Sequence, residues 1–201
     1  MIDIDTAFRY RLKLNKSAGF TCHKFIQVLA DAVTQSGLDY SLKKNRPRVY
    51  VYSGAAEDEE SLAEIAEIFL NTYQKPEEVK TKLALYFKGS GFVLKDVELL
   101  PYHLTSVQNL ISHVGYKVEG VRGSISRALS LCPKSERKHL YSIERLNAKE
   151  IKVVMKLNPS GSFSPVLELL TLLRLDVKKE DYKATRIALY WVDKQGVLQS
   201  V

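Results

Sequence analysis

Hydrophobic and polar positions alternate strictly over residues 6–14. Phe8, Tyr10, Leu12 and Leu14 share one face, while Arg9, Arg11 and Lys13 share the other. That period of two predicts a half-buried strand. After a turn over Asn15–Gly19 the period lengthens. Phe25, Val28, Leu29, Ala32 and Val33 fall on one face of a helix spanning about 21–36, which Gly37 ends. Strands are predicted at 39–44 and 48–53, divided by the turn-forming Asn45-Arg46-Pro47. Residues 62–73 fit two templates. Leu62, Ile65, Ala66, Phe69, Leu70 and Tyr73 fit a helix, whereas Ala66, Ile68, Leu70 and Thr72 fit one strand face. Pro76 then opens a helix over 76–88, with Glu77 and Glu78 at the positive end of its dipole. A strand at 92–100 closes this half at Pro101.

The second half repeats the order. Strands are predicted at 115–121, 139–146, 150–157 and 185–192. Helices are predicted at 123–131, broken by Pro133, and at 165–175, launched by the cap Ser164-Pro165 after a turn at Asn158–Gly161. The expected fold class is α+β: two tandem ferredoxin-like (βαββαβ) halves with antiparallel sheets, covering 1–101 and 115–201. Residues 102–114 are the expected linker, with SVQNLISH able to form a short helix.

Charge narrows the partner. The 201 residues carry a formal net charge of +7, and a basic chain favours a polyanion, RNA first. Arg9, Arg11 and Lys13 share a strand face, and Arg48, Tyr50 and Tyr52 share another. If both faces lie on one side of one sheet, they form a surface that stacks bases and neutralises phosphates. Lys43, Lys44 and Arg46 extend it. An acidic block at 57–60 separates this basic region from a basic C-terminal half.

No stretch approaches the ~20 apolar residues of a membrane-spanning helix, so no membrane partner is expected. Acidic residues in MIDIDTAFRYRLKL stand where a signal peptide would carry positive charge, so a cytoplasmic protein is expected. Cys22 and Cys132 are too few for a disulfide framework or a cysteine-rich zinc site. His103, His113 and His139 lack the spacing of metal ligands, and no cysteine triad suits an iron–sulfur cluster. No cofactor or metal is expected. The Gly89-Ser90-Gly91 turn runs from helix to strand, the reverse of a phosphate-binding loop. His23, in the first turn of the first helix, is the one weak catalytic candidate, as a general acid or base in RNA cleavage.

Several segments in sequence order carry a family resemblance: YRLKLNKSAG, Cys22-His23-Lys24-Phe25, KPEEVKTKL, GFVLKDVELLP, GYKV, GSFSPVLELL and TRIALYW. Together they resemble the radical-SAM-linked family, a domain of unknown function found fused to, or encoded beside, radical SAM proteins. The chain resembles a divergent member. His23 keeps the histidine of the family's Ser-His-Leu-Asp segment, but its serine and aspartate are replaced. Lys43-Lys44-Asn45-Arg46-Pro47 stands where the family has a Gly-Phe-Asn-Pro loop, and Arg186 stands at its late arginine. The resemblance implies a strand at 63–72 and a radical SAM protein as partner. It also adds Arg186 to the candidate RNA-binding set. The leading expectation is a non-catalytic accessory or binding protein, acting on RNA or with a radical SAM enzyme. An RNA endonuclease or RNA-modifying enzyme using His23, and a structural protein–protein interaction module, stay open as alternatives. Oligomeric state is not legible.

Overall fold

The computed structural model describes residues 7–52, 55, 57, 59–101, 111–156, 166–177 and 181–201. The chain divides into two compact units, Met1–Leu110 and Ile111–Val201. The linker segment 102–110, the Asn158–Gly161 turn and the Ser164-Pro165 cap lie outside the described residues.

The first unit runs β1 (Phe8–Lys16), α1 (Cys22–Gln35), β2 (Leu42–Lys43), β3 (Arg46–Pro47), β4 (Val49–Tyr52), β5 (Glu60–Leu70), α2 (Pro76–Phe87) and β6 (Phe92–Leu99). β1 lies between β5 and β6, and β4 pairs with β5, all antiparallel. The alternation of β1 puts Tyr10, Leu12 and Leu14 into the core. There they meet Phe25, Leu29 and Val33 of α1 and Val79 and Leu83 of α2. Thr21 caps α1 by accepting a hydrogen bond from the Lys24 amide at 3.1 Å. Phe25 stacks on Phe92 at 4.6 Å, and Phe20 meets Phe92 edge-on at 5.4 Å.

Residues 60–70, where two periods compete, form a strand. Burial explains the ambiguity. Ala66, Ile68 and Leu70 face the helices, yet Ile65, Glu67 and Phe69 on the opposite face are buried as well. A strand buried on both faces is apolar nearly throughout and matches either template.

The second unit runs β7 (His113–Glu119), β8 (Val121–Arg122), α3 (Ile125–Leu131), β9 (Leu140–Arg145), β10 (Glu150–Lys156), α4 (Val166–Leu172), β11 (Asp176–Val177), β12 (Lys183–Val192) and β13 (Leu198–Ser200). β7 lies between β12 and β10, β9 pairs with the far side of β10, and β13 pairs antiparallel with the end of β12. Val114, Tyr116 and Val118 oppose Met155, Val153 and Ile151 in register, all buried. β7 begins at His113, two residues before the expected start, inside the expected linker.

The expected fold class is corrected. The strands do not sort into two tandem ferredoxin-like halves, each with its own antiparallel sheet. The main sheet is mixed and carries nine strands, with four described helices, and β2–β3 and β8–β11 form separate two-stranded ribbons. The physical reason lies in the second face. A four-stranded sheet covered by helices on one side exposes every other residue, and the alternation of β1 was read that way. The two-sided burial of β5 does not fit a sheet with one open face.

Phe25 is fully buried in the aromatic stack. Phe25→Ala is expected to lower stability by about 3–5 kcal/mol, read as a shifted midpoint in denaturant unfolding.

Candidate nucleic-acid interface

The hairpin between β2 and β3 is built around Lys44 and Asn45, whose φ angles are 52° and 61°. Two consecutive left-handed residues make the tight turn whose twist matches its flanking strands. Asparagine tolerates that conformation, whereas lysine adopts it at some cost. The consequence is positional. Lys43, Lys44 and Arg46 are all exposed at the tip, and among the described residues no ion pair engages any of the three.

Behind the tip stands an aromatic base. Lys43 Nζ donates to the Tyr50 hydroxyl at 3.1 Å and lies 5.1 Å from the centre of its ring. The Arg48 guanidinium sits 4.1 Å from the centre of the Phe69 ring and 5.8 Å from that of Tyr50. Tyr50 and Phe69 meet edge to face at 5.4 Å. Cation–π contact holds Arg48 over Phe69. The Lys43 hydrogen bond pulls the Tyr50 pKa below the ordinary tyrosine value, against the opposing effect of burial and with further help from Arg48.

The register decides the relation between the two predicted basic faces. Tyr50 pairs with Glu67 and Tyr52 with Ile65 on β5, while Arg11 pairs with Glu67 and Lys13 with Ile65 from the other side. Both sets therefore share one face of the first unit's sheet, with β5 between them. That intervening strand changes their chemistry. Arg11 is only 6% exposed and its Nη2 lies 3.4 Å from Glu67 Oε1, itself 1% exposed. Arg9, Lys13, Arg48 and Tyr52 are half-buried. On β6, the exposed Glu98 and Asp96 oppose Arg11 and Lys13 in register. Acids thus oppose Arg11 and Lys13 on the β1 face, whereas among the described residues no ion pair engages the hairpin cations.

Two candidates stand apart. Arg186, on β12 of the second unit, is fully buried opposite Tyr116. His23 is exposed, with Gln27 Nε2 3.0 Å from its Nε2, and among the described residues no carboxylate is hydrogen-bonded to it. Sequence reasoning missed Phe69 and Glu67. The alternation Ile65, Glu67, Phe69 in the ambiguous segment was the signal that could have found them. Among the described residues no cluster of His, Cys, Asp or Glu could hold a metal ion, and no helix is long and apolar enough to cross a membrane.

No family model matches the chain, and no curated protein matches it. Among solved structures it is similar to an unknown protein from Galdieria sulphuraria, at 10% identity over 89% of this chain and 98% of that one, with a TM-score of 0.29. It is also similar to a protein described as a candidate glycine cleavage system transcriptional repressor, at 11% identity over 90% and 98% of the two chains, with a TM-score of 0.30. Likeness at this level carries no argument about fold or function.

Because the Lys43 ammonium favours the phenolate, Tyr50 is expected to ionise at lower pH than an ordinary tyrosine. In Lys43→Gln its titration moves up toward the ordinary value, followed by tyrosinate absorbance against a Tyr50→Phe control.

Proposed function

We propose that this protein is a non-catalytic binding protein whose ligand is single-stranded RNA, engaged by the β2–β3 hairpin. The observation that carries the reading is the convergence at one tip of Lys43, Lys44 and Arg46, exposed beside the Tyr50 ring and the Arg48 guanidinium. Cations neutralise successive phosphates and release counterions, while an aromatic or guanidinium plane stacks a base without demanding its identity. Arg9 lies further along the same sheet face and extends the positive field, whereas Lys13 is opposed by Asp96. Arg11 and Arg186 are too buried to touch a strand, so they serve the fold.

Binding rather than catalysis is supported by the setting of His23. A general base needs a partner that orients it, and its hydrogen-bond partner here is the amide of Gln27. The resemblance of the sequence to radical-SAM-linked proteins adds the partner: the protein would work in the cytoplasm as an accessory to a radical SAM enzyme acting on the RNA it holds.

The test is a fluorescence-anisotropy titration of a uridine-rich single strand against wild type and the triple variant Lys43→Gln, Lys44→Gln, Arg46→Gln. The variant is expected to bind at least about tenfold more weakly, and its salt slope to fall by about 2, since each lost phosphate contact removes about 0.7. Unchanged affinity and slope, with circular dichroism intact, would remove the hairpin from the site.

A further inference from the structure

Between α3 and β9 the run Pro133-Lys134-Ser135-Glu136-Arg137-Lys138 folds as tight turns. The Glu136 and Arg137 amides both donate to the Pro133 carbonyl, and the Leu140 amide donates to the Arg137 carbonyl at 2.9 Å. The turns set Lys134, Arg137 and Lys138 around one cavity of about 540 Å³ in the second unit. Lys156, at the end of β10, adds a fourth cation, and Tyr141 and Ser142 of β9 add hydroxyl groups. Among the described residues no carboxylate lines this cavity. Glu136, the one acid of the run, lines a different cavity with Cys132 and Arg174.

Four like charges around one space destabilise one another unless an anion lies among them. A second observation points the same way: Arg137 Nε is buried without a hydrogen-bond partner, and a buried donor of that kind favours an acceptor. Tyr141 is 45% exposed, and its ring meets His113 edge-on at 4.8 Å. That contact fixes the ring while leaving a face for stacking. Burial, and then the nearby Lys156 charge, keep the His113 pKa below its usual value. His113 is thereby kept from adding a further positive charge. The volume falls within the range of about 300–1,000 Å³ usual for small-ligand sites.

We propose that this cavity binds a nucleotide-sized phosphoester, its phosphate held by Lys134, Arg137 and Lys156 and its base stacked on Tyr141. The phosphoester could be a free nucleotide or a unit of an RNA strand. The site belongs to the second unit and is distinct from the hairpin, so either can fail without the other.

The test is calorimetric titration of the full chain with ADP, inorganic pyrophosphate and a uridine hexamer, at low and high salt. The hexamer is added to the triple hairpin variant, so that hairpin binding does not contribute. ADP and pyrophosphate are expected to bind, more weakly at high salt, and the double variant Lys134→Gln, Arg137→Gln to lose at least about tenfold for both. Tyr141→Leu is expected to weaken ADP several-fold and leave pyrophosphate unchanged. Hexamer binding that disappears with the double variant, while ADP does not bind, assigns the phosphoester to an RNA strand and keeps the site. If the double variant does not fold, Lys156→Gln at the exposed strand end takes its place, with the same loss expected. Absence of binding by all three probes, or binding unaltered in folded Lys134→Gln, Arg137→Gln or in Lys156→Gln, would overturn the proposal.

Discussion

The buried ion pair between Arg11 and Glu67 is the constraint on which the first unit depends. Both side chains are almost wholly withdrawn from water and lie 3.4 Å apart across the β1–β5 ladder. Removing one partner of such a pair leaves an uncompensated buried charge, which typically costs about 3–5 kcal/mol. The pair also fixes register. A slip of one residue would separate Arg11 from Glu67 and turn Tyr10, Leu12 and Leu14 away from the helices. Charge pairing and hydrophobic burial therefore select the same alignment.

That alignment redistributes the positive charge of the chain. The middle of the β1 basic face is closed, its central arginine committed to Glu67 and opposed by Glu98, and Lys13 opposed by Asp96 on β6. In the first unit the β2–β3 tip stays exposed, and among the described residues no ion pair engages its cations. Phe69 links the two regions. It opposes Arg9 in the β1–β5 register, lies beneath Arg48 and meets Tyr50 edge-on. A residue that looks like plain core from its burial thus anchors the cation nearest the proposed RNA surface.

Much of this was legible in local pattern. The alternation of Tyr10, Leu12 and Leu14, the helical face of Phe25, Leu29 and Val33, and the basic–aromatic run from Lys43 to Tyr52 all concern neighbours in sequence. What was not legible involves distance. Glu67 lies 56 residues from Arg11, so the central cation of the β1 basic face proves to be paired and buried. Alternation along β1 reports one face only, so it suggested self-contained sheets and missed the two-sided burial of β5 and the mixed nine-stranded sheet. Arg186 was assigned to RNA through a resemblance, and its complete burial could not be read from its neighbours. Lys156 and Tyr141 join the Lys134–Lys138 run only through folding, so that cluster is not visible in local pattern.

The most direct test of the central claim is to map the RNA contact by backbone amide chemical shifts during titration with a uridine-rich single strand. The account predicts that the largest changes cluster at residues 42–50, with smaller ones at Arg9 and Lys13 and none specific to His23. Saturable RNA binding with residues 42–50 unperturbed would contradict it.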